Sequence, residues 1–498
     1  MEEMMKKTVV IQPDGRNLLE ILTGQFYELP SFCAGRGTCG KCKVQVKKKD
    51  SDKEEVLACQ YIPLECCEVE FLQEDREFCI ETKVGKEILK EQSLTERKQI
   101  VVDIGTTTLA MLLLDEHGKV ISSWTGLNPQ RKYGADVISR IERANRGQKE
   151  ELTTCIRETI FIGIRALCEE ETISRVVFAG NTTMQHLFAG YSVEGLGSYP
   201  FSITQKDLVT GKLAEFYPEL PEGLKDTEYV SMPCISAFVG GDIVAGILEV
   251  EWQQNLSDRK MEKQKSWLLL DIGTNGEMVL YLDGVYYTAS TAAGPVFEGG
   301  TICCGIGSVM GAIDHVWEEN GEMEYSTIGG ELPIGICGTG LIESIATLRK
   351  MGILNREGLL IGYSECGYLI AREENGNLIR ITQEDVRQFQ LAKAAIRCGI
   401  EILCKVAKTS VQKLDRIYLA GGFGTKLDVK KSCEVGLLPS VSQSRYKVLG
   451  NAALSGCSIY CREEKAKACL KKIQDSSKEV VLALEEEFQK QYLEYLYF

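Results

Sequence analysis

One short pattern occurs twice in this chain. "IVVDIGTTTLAMLLLDEHGKVISSW" begins at Ile100, and "WLLLDIGTNGEMVLYLDGVYYTAS" begins at Trp267. Each reads as strand, tight turn, strand, tight turn, strand. Asp103-Ile104-Gly105-Thr106-Thr107 aligns on Asp271-Ile272-Gly273-Thr274-Asn275. Each copy runs on to an apolar strand closed by Ala-Gly, "SRVVFAGNTT" (174–183) and "DRIYLAGGFG" (415–424). The period is far too long for a solenoid, so the pattern predicts two related units facing each other across a cleft. Helical patterns at 136–147, 151–170, 338–352 and 383–410 alternate with the strands, which makes the units α/β.

The turn itself has a chemistry. Glycine lets the backbone come close to an anion, N–H groups point at phosphate oxygens, and threonine hydroxyls add donors. Gly105, Thr106, Thr107, Gly273, Thr274 and Asn275 are therefore expected to line a phosphate chain. Asp103 and Asp271 are expected to hold Mg²⁺, directly or through water. Gly421, Gly422 and Phe423 are the adenosine candidates, since a glycine run lets a backbone lie flat against an adenosine. Hydrolysis needs a carboxylate to orient the attacking water. Asp242 in "VGGDIVAG" and Asp136 in "YGADV" are the candidates beside Asp103, set against the plain readings of helix cap or surface charge. Glu277 and Glu298 read as structural. Asn181, Thr182, Thr183 and His186 mark a turn into a helix, with Asn181 as its cap and His186 as a satisfied helix residue.

The front of the chain is different. "KTVVIQ" reads as a strand, "RNLLEILTG" as a helix ending on Gly24, "KVQVKKK" as an edge strand and "CCEVEFL" as a last apolar strand. Between them "CAGRGTCGKC" places Cys33, Cys39 and Cys42 in one loop, and Cys59 follows in "LACQ". Three thiolates from one loop and one from afar suit a 2Fe–2S cluster. Ala34, Gly35, Gly37, Thr38 and Gly40 are small enough for backbone N–H groups to reach the sulfurs. A structural zinc site usually pairs two C-x2-C knuckles, and this stretch has one. Cys66, Cys67 and Cys79 are rivals to Cys59. His117, His186 and His315 are the chain's three histidines, too few for a histidine-rich metal site. Cys303, Cys304 and Cys337 read as core or loop thiols.

Composition narrows the setting. A net charge of −14 argues against nucleic acid or an anionic membrane as partner. "MEEMMKK" lacks the apolar stretch of a secretory signal, and "LAMLLL" (109–114) is far short of a membrane span. The twenty cysteines are then reduced thiols in a cytoplasmic protein. The expected organisation is an iron–sulfur unit at 1–80, a linker at 81–98, ATPase units at 99–262 and 263–461, and a helical tail at 462–498.

"DIGTTT", "DIGTNGE" and "AGGFG" resemble the phosphate-1, phosphate-2 and adenosine motifs of the actin–hexokinase superfamily. "NPQRKYGADVISRI", "AGNTTMQHLFAG", "FVGGDIVAGIL", "TAAGPVFEGG" and "GICGTGLIE" narrow the likeness. Joined to the front unit, the chain resembles the reductive activators of corrinoid proteins, from the first strand to about residue 461. The cysteine loop is one residue longer than the plant-type pattern and is similar to that of adrenodoxin-like ferredoxins. The resemblance implies an α/β chain: a small β-grasp ferredoxin-like domain, then a duplicated actin-like (ribonuclease H-like) ATPase fold. It implies ATP-driven transfer of one electron from a 2Fe–2S cluster to the inactive Co(II) corrinoid of a methyltransferase system, restoring Co(I). It implies a corrinoid protein and an upstream low-potential electron donor as partners, and relatives suggest a homodimer. Which corrinoid protein is served stays open. An activator of another low-potential metalloenzyme, such as a radical dehydratase, and a redox- and nucleotide-sensing scaffold are the alternatives. A small-molecule kinase is not favoured, because it has no use for an electron relay.

Overall fold

Val44, Val46, Val69 and Phe71 alternate along their segments, and Leu18 and Leu22 lie one helical turn apart; all are buried in one cluster with Ile11. Those two periods build the N-terminal unit. The structure is a computed structural model and describes residues 5–24, 29, 42–48, 52–73, 97–168, 172–257, 265–374, 376–422 and 426–498. Cys33, Cys39, Cys79, Phe423 and the linker at 81–96 lie outside the described residues. Strands β1 (Met5–Ile11), β2 (Lys43–Lys47), β3 (Glu54–Leu57) and β4 (Cys67–Gln73) form an antiparallel sheet in the order β1-β4-β2-β3, with helix α1 (Leu18–Gly24). The expected edge strand, β2, is interior. The edges are β1 and β3; the Glu-rich sequence of β3 gives no strand signal but suits an exposed edge.

The first large unit opens with an antiparallel meander, β5 (Lys98–Ile104), β6 (Thr108–Leu114) and β7 (Val120–Leu127). Helices α2 (Val137–Arg143) and α3 (Lys149–Cys168) lead to β8 (Ile173–Gly180), which pairs in parallel with β5. After α4 (Thr182–Ala189) come β9 (Val209–Lys212) and β10 (Glu228–Ser231), the latter parallel to β8. The sheet order is β7-β6-β5-β8-β10-β9. Helix α5 (Gly241–Ser257) closes this unit.

The second unit repeats the plan. Strands β11 (Ser266–Ile272), β12 (Gly276–Leu282) and β13 (Val285–Thr291) form the meander. An insertion follows: β14 (Ala312–Glu319), β15 (Glu322–Thr327) and β16 (Gly335–Ile336), helix α6 (Gly338–Lys350), then the hairpin β17 (Tyr368–Arg372) and β18 (Leu378–Ile381). Helix α7 (Gln383–Val406) returns the chain to β19 (Arg416–Ala420), parallel to β11. Helix α8 (Val429–Glu434) leads to β20 (Tyr446–Gly450) and helix α9 (Ala452–Arg462). The duplication shows in register: Asp103 stands opposite Ala179 on β8, and Asp271 opposite Ala420 on β19.

The C-terminal segment is more than the expected helical tail. Helix α10 (Ala466–Asp475) is followed by β21 (Ser477–Glu479), which extends the second sheet beside β13, and by α11 (Phe488–Glu494). Three polar residues carry no strand signal. Lys393 of α7 fastens the end, its Nζ donating to the carbonyls of Tyr495 (2.9 Å) and Tyr497 (2.6 Å).

Helices α5 and α9 join the two units. A Cβ on Gly456 would sit 1.9 Å from the carbonyl oxygen of Ala245, so the helices touch backbone to backbone. Val101, Ile243, Leu269 and Leu454 from both units share one core beneath the cleft. Among the described residues no helix is long and apolar enough to cross a membrane.

Candidate active site

The first phosphate turn follows β5. A Cβ on Gly105 would lie 2.4 Å from the carbonyl oxygen of Thr108, so only glycine makes this turn. Asn128 Nδ2 donates to the Gly105 carbonyl (2.8 Å). Asn181 has two tasks: its Oδ1 accepts from Met184 N (3.0 Å) as the cap of α4, and its Nδ2 donates to Thr106 Oγ1 (2.9 Å).

The second turn meets the first across the cleft. Thr107 Oγ1 and Thr274 Oγ1 are 3.2 Å apart. Both donate to one oxygen, Glu298 Oε2, at 2.5 Å and 2.9 Å. Sequence reasoning took Glu298 as structural. Its position between the turns comes from a contact 191 residues long in sequence, which no local pattern announces.

Four acids crowd behind these turns. Burial lifts the Asp103 carboxyl to about 6, against a hydrogen bond from Asn451; Asn451 Nδ2 lies 2.7 Å from Asp103 Oδ2. Burial and then the charge of Asp103 lift Asp271 to about 7. Asp242, in the first turn of α5, is pushed well above the carboxylate range by burial and by Asp103 and Asp271. Glu277 pairs with Asp271 in the β11–β12 register and is pushed up by burial and then by Asp242, Asp271 and Asp103. It is 8% exposed, and its Oε1 has no hydrogen-bond partner among the described residues. Like charges this close cannot all ionise unless a cation joins them. Among the described residues no three Asp, Glu, His or Cys side chains form a ready metal cage. The donor set therefore fits a hydrated dication shared with phosphate oxygens, and not an all-protein cage.

Asp136 takes the helix-cap position that the sequence offered as its plainer reading. Its Oδ1 accepts from Ser139 N (2.8 Å) and completes a capping box at the start of α2, so the fold spends it on a helix end. His186 is buried, with Nδ1 2.8 Å from the Thr182 carbonyl, and burial lowers its pKa. Cys337 is buried with its Sγ 3.2 Å from Thr339 Oγ1, Cys304 donates to the Leu378 carbonyl, and Cys303 is exposed. Gly421 has φ +103°, and a Cβ there would meet the Ile272 carbonyl at 2.7 Å and Asp271 Oδ1 at 2.9 Å. Among the described residues, none comes within 4 Å of a Cβ built on Gly422. In the front unit Cys42 and Cys59 are both buried, and Ala58 N donates to the Cys42 carbonyl at 2.7 Å. Cys67 is a buried strand residue opposite Ile11, and Cys66 is exposed beside Gln12.

Residues 3–64 match the 2Fe-2S iron-sulfur cluster binding domain. Residues 99–255 match the RACo middle region, and residues 265–498 match the C-terminal domain of RACo, the ASKHA domain. The corrinoid activation enzyme RamQ of Eubacterium limosum is 33% identical over 422 residues, spanning 79% of this chain and 69% of that one. This chain belongs to the corrinoid activator family. A solved member of the family, a reductive activator for a corrinoid, iron-sulfur protein, superposes with a TM-score of 0.73 at 26% identity, over 98% of this chain and 96% of that one. The [Co(II) methylated amine-specific corrinoid protein] reductase of Methanosarcina barkeri is 25% identical over 386 residues, 72% of this chain and 68% of that one. In this activator the C-terminal segment lies inside the matched ASKHA domain, in keeping with the strand it adds to the sheet.

Proposed function

We propose that this activator uses ATP to pass one electron from a 2Fe–2S cluster to the Co(II) corrinoid of a methyltransferase system, returning it to Co(I). The observation that carries the proposal is the meeting of Thr107 and Thr274 at Glu298, in a chain whose front unit buries Cys42 beside the segment of Cys59. Two facing phosphate turns make a nucleotide clamp, and two buried thiols make a relay end.

When bound, the cluster supplies one electron at a time; Cys33, Cys39, Cys42 and Cys59 would hold it. Asp103 and Asp271 would hold Mg²⁺, with Asp242 orienting the water that attacks the terminal phosphate. The chain's own work is to tighten on the nucleotide and change the surface offered to the corrinoid protein. Thr107 and Thr274 exchange Glu298 for phosphate oxygens, and the units shift about the α5–α9 crossing. A plant-type cluster lies near about −400 mV. A gap of one or two hundred millivolts to the cobalt costs roughly 2–5 kcal/mol for one electron. A nucleotide-dependent grip that disturbs a cobalt ligand and raises the cobalt potential can close such a gap. A low-potential donor recharges the protein, and its twenty cysteines support a reducing, cytoplasmic setting.

The test mixes the reduced protein with a Co(II) corrinoid protein of its own host under anaerobic conditions, with and without ATP. Growth of the Co(I) absorption only with ATP, and its loss in Cys59→Ala, is the expected result. A reducible cluster with ATP hydrolysis but no Co(I) would discard the corrinoid protein tested. Cobalt reduction indifferent to ATP would sink the coupling. Loss of the cluster in Cys66→Ala or Cys67→Ala, but not in Cys59→Ala, would move the fourth ligand.

A further inference from the structure

The stretch from Asn128 to Arg140, "NPQRKYGADVISR", touches the first phosphate turn from behind. Asn128 caps its own 3-10 turn, its side chain accepting from Gln130 N at 2.9 Å. Gln130 is fully buried and donates to the Leu152 carbonyl (2.9 Å). Asp136 and Ser139 cap α2. These local bonds fix the segment so that two side chains reach the turn. Asn128 Nδ2 takes the Gly105 carbonyl, and Arg140 Nη2 takes the Thr106 carbonyl at 2.6 Å. A carbonyl held from behind aims the N–H of the next residue forward. The Thr106 and Thr107 N–H groups are thus set by Asn128 and Arg140.

Arg140 is fully buried. Its other bonds go to the Gly134 carbonyl (Nε, 2.9 Å), Gln130 Oε1 (Nη1, 3.4 Å) and Met184 Sδ (Nη1, 3.1 Å). No carboxylate among the described residues pairs with it; Asp136 and Glu298 act on it only through their fields. Burial pulls its pKa down to about 9, which still leaves a cation at neutral pH. An unpaired charge is expensive to bury, so its place calls for a reason beyond packing.

We infer that Arg140 is a positioning residue for the nucleotide: a buried cation that orients the first phosphate turn and favours the polyphosphate over a shorter phosphate tail, with Asn128 fixing the neighbouring peptide. This rests on the ATPase reading of the cleft, but not on the corrinoid partner. A hydrogen bond to a charged group contributes about 1.5–3 kcal/mol, so losing the fork changes affinity by about tenfold or more.

The test uses the full-length, cluster-loaded protein and measures dissociation constants for Mg–ATP and for AMP in wild type, Arg140→Met and Arg140→Lys. AMP has no phosphate beyond the first. Arg140→Met is expected to lower the preference for ATP over AMP by about tenfold or more, with Arg140→Lys between the two. Equal losses for ATP and AMP would mean that Arg140 only supports the fold and would overturn the inference, as would an unchanged ratio. If Arg140→Met does not fold, the same ratio in Arg140→Lys and Asn128→Ala decides. Wild type that fails to bind ATP would instead defeat the ATPase reading itself.

Discussion

Thr107 Oγ1 donates to Glu298 Oε2 at 2.5 Å. The same oxygen receives Thr274 Oγ1 at 2.9 Å, so one carboxylate holds both phosphate turns. A carboxylate that collects two hydroxyl donors imitates a phosphate oxygen. On the proposed reading it would compete with the nucleotide for the same donors and repel its charge. Glu298→Gln is therefore expected to bind ATP more tightly than wild type, by about 1 kcal/mol or roughly fivefold. Calorimetric titration of both proteins settles it: weaker binding by the variant would show that Glu298 helps to hold the nucleotide.

Asp242 and Asp136 were equals in the sequence, and the fold separates them. Asp242 is crowded by Asp103 and Asp271, whereas Asp136 closes a capping box. Asp242→Asn should cut ATP turnover by about 10²–10⁴ while ATP binding stays near the wild-type value. Asp136→Asn should turn over almost normally, since Asn caps a helix about as well as Asp. Turnover assays on the pair reverse the assignment if Asp136→Asn is the slow one.

The contrast shows what a sequence can and cannot tell. The turns at Gly105 and Gly273 were legible because a strand–turn–strand is a local object, although only Gly105 is held to glycine by its neighbours, through the Thr108 carbonyl. The cap role of Asp136 was legible too, as an aspartate three residues ahead of Ser139 at a helix start. Asn451 was not. It caps α9 like any asparagine, and only the folded chain brings its Nδ2 to Asp103, 348 residues away. Arg140 was not singled out in the sequence, where nothing marks one arginine of α2 as different from the next, and it is fully buried. Strand β21 is three polar residues long, and only the neighbouring β13 makes it a strand.

The acid cluster fixes a pH dependence. Asp103 and Asp271 sit at about 6 and about 7 in the folded, metal-free protein, above the unfolded value near about 4. Between those values the folded state holds more protons than the unfolded chain, so stability falls as pH rises. The contribution is complete below about pH 4 and gone above about pH 7. The unfolding temperature of nucleotide-free, metal-free protein should drop between about pH 5 and about pH 8. Asp271→Asn should flatten that slope, and Mg–ATP should do the same by bringing a cation to the acids. A wild-type stability that rises over this range would contradict the crowding of these acids.

Gly421 and Gly422 are neighbours with different tasks. At Gly421 φ is +103°, and an added Cβ would strike the Ile272 carbonyl and Asp271 Oδ1. Gly421→Ala should lose about 1–3 kcal/mol of stability and weaken Mg–ATP binding by displacing Asp271. At Gly422 no described residue lies within 4 Å of an added Cβ. Gly422→Ala should melt like wild type and show only a change in nucleotide affinity. Denaturant titrations of the two variants test this, and equal stabilities would remove the strain argument.

The joint between the units gives the last expectation. Glycine inside a helix is worse than alanine by about 1 kcal/mol, so Gly246→Ala and Gly456→Ala should both stabilise if propensity alone mattered. At Gly246 the nearest atoms to an added Cβ are side-chain carbons, Leu269 at 3.3 Å and Ala452 at 3.5 Å, so the Leu269 side chain need give way by only a few tenths of an ångström. Gly456 has no such room, because its Cβ would stand 1.9 Å from the Ala245 carbonyl oxygen. There the methyl must push α5 and α9 apart, and overpacking of this kind costs about 1–3 kcal/mol. Gly246→Ala should therefore melt at or slightly above the wild-type temperature, and Gly456→Ala several degrees below it. Under the proposed shift of the units about this crossing, Gly456→Ala should also hydrolyse ATP with less stimulation by the corrinoid protein, while Gly246→Ala keeps it. If both variants melt and respond alike, the crossing is ordinary packing and the pivot lies elsewhere.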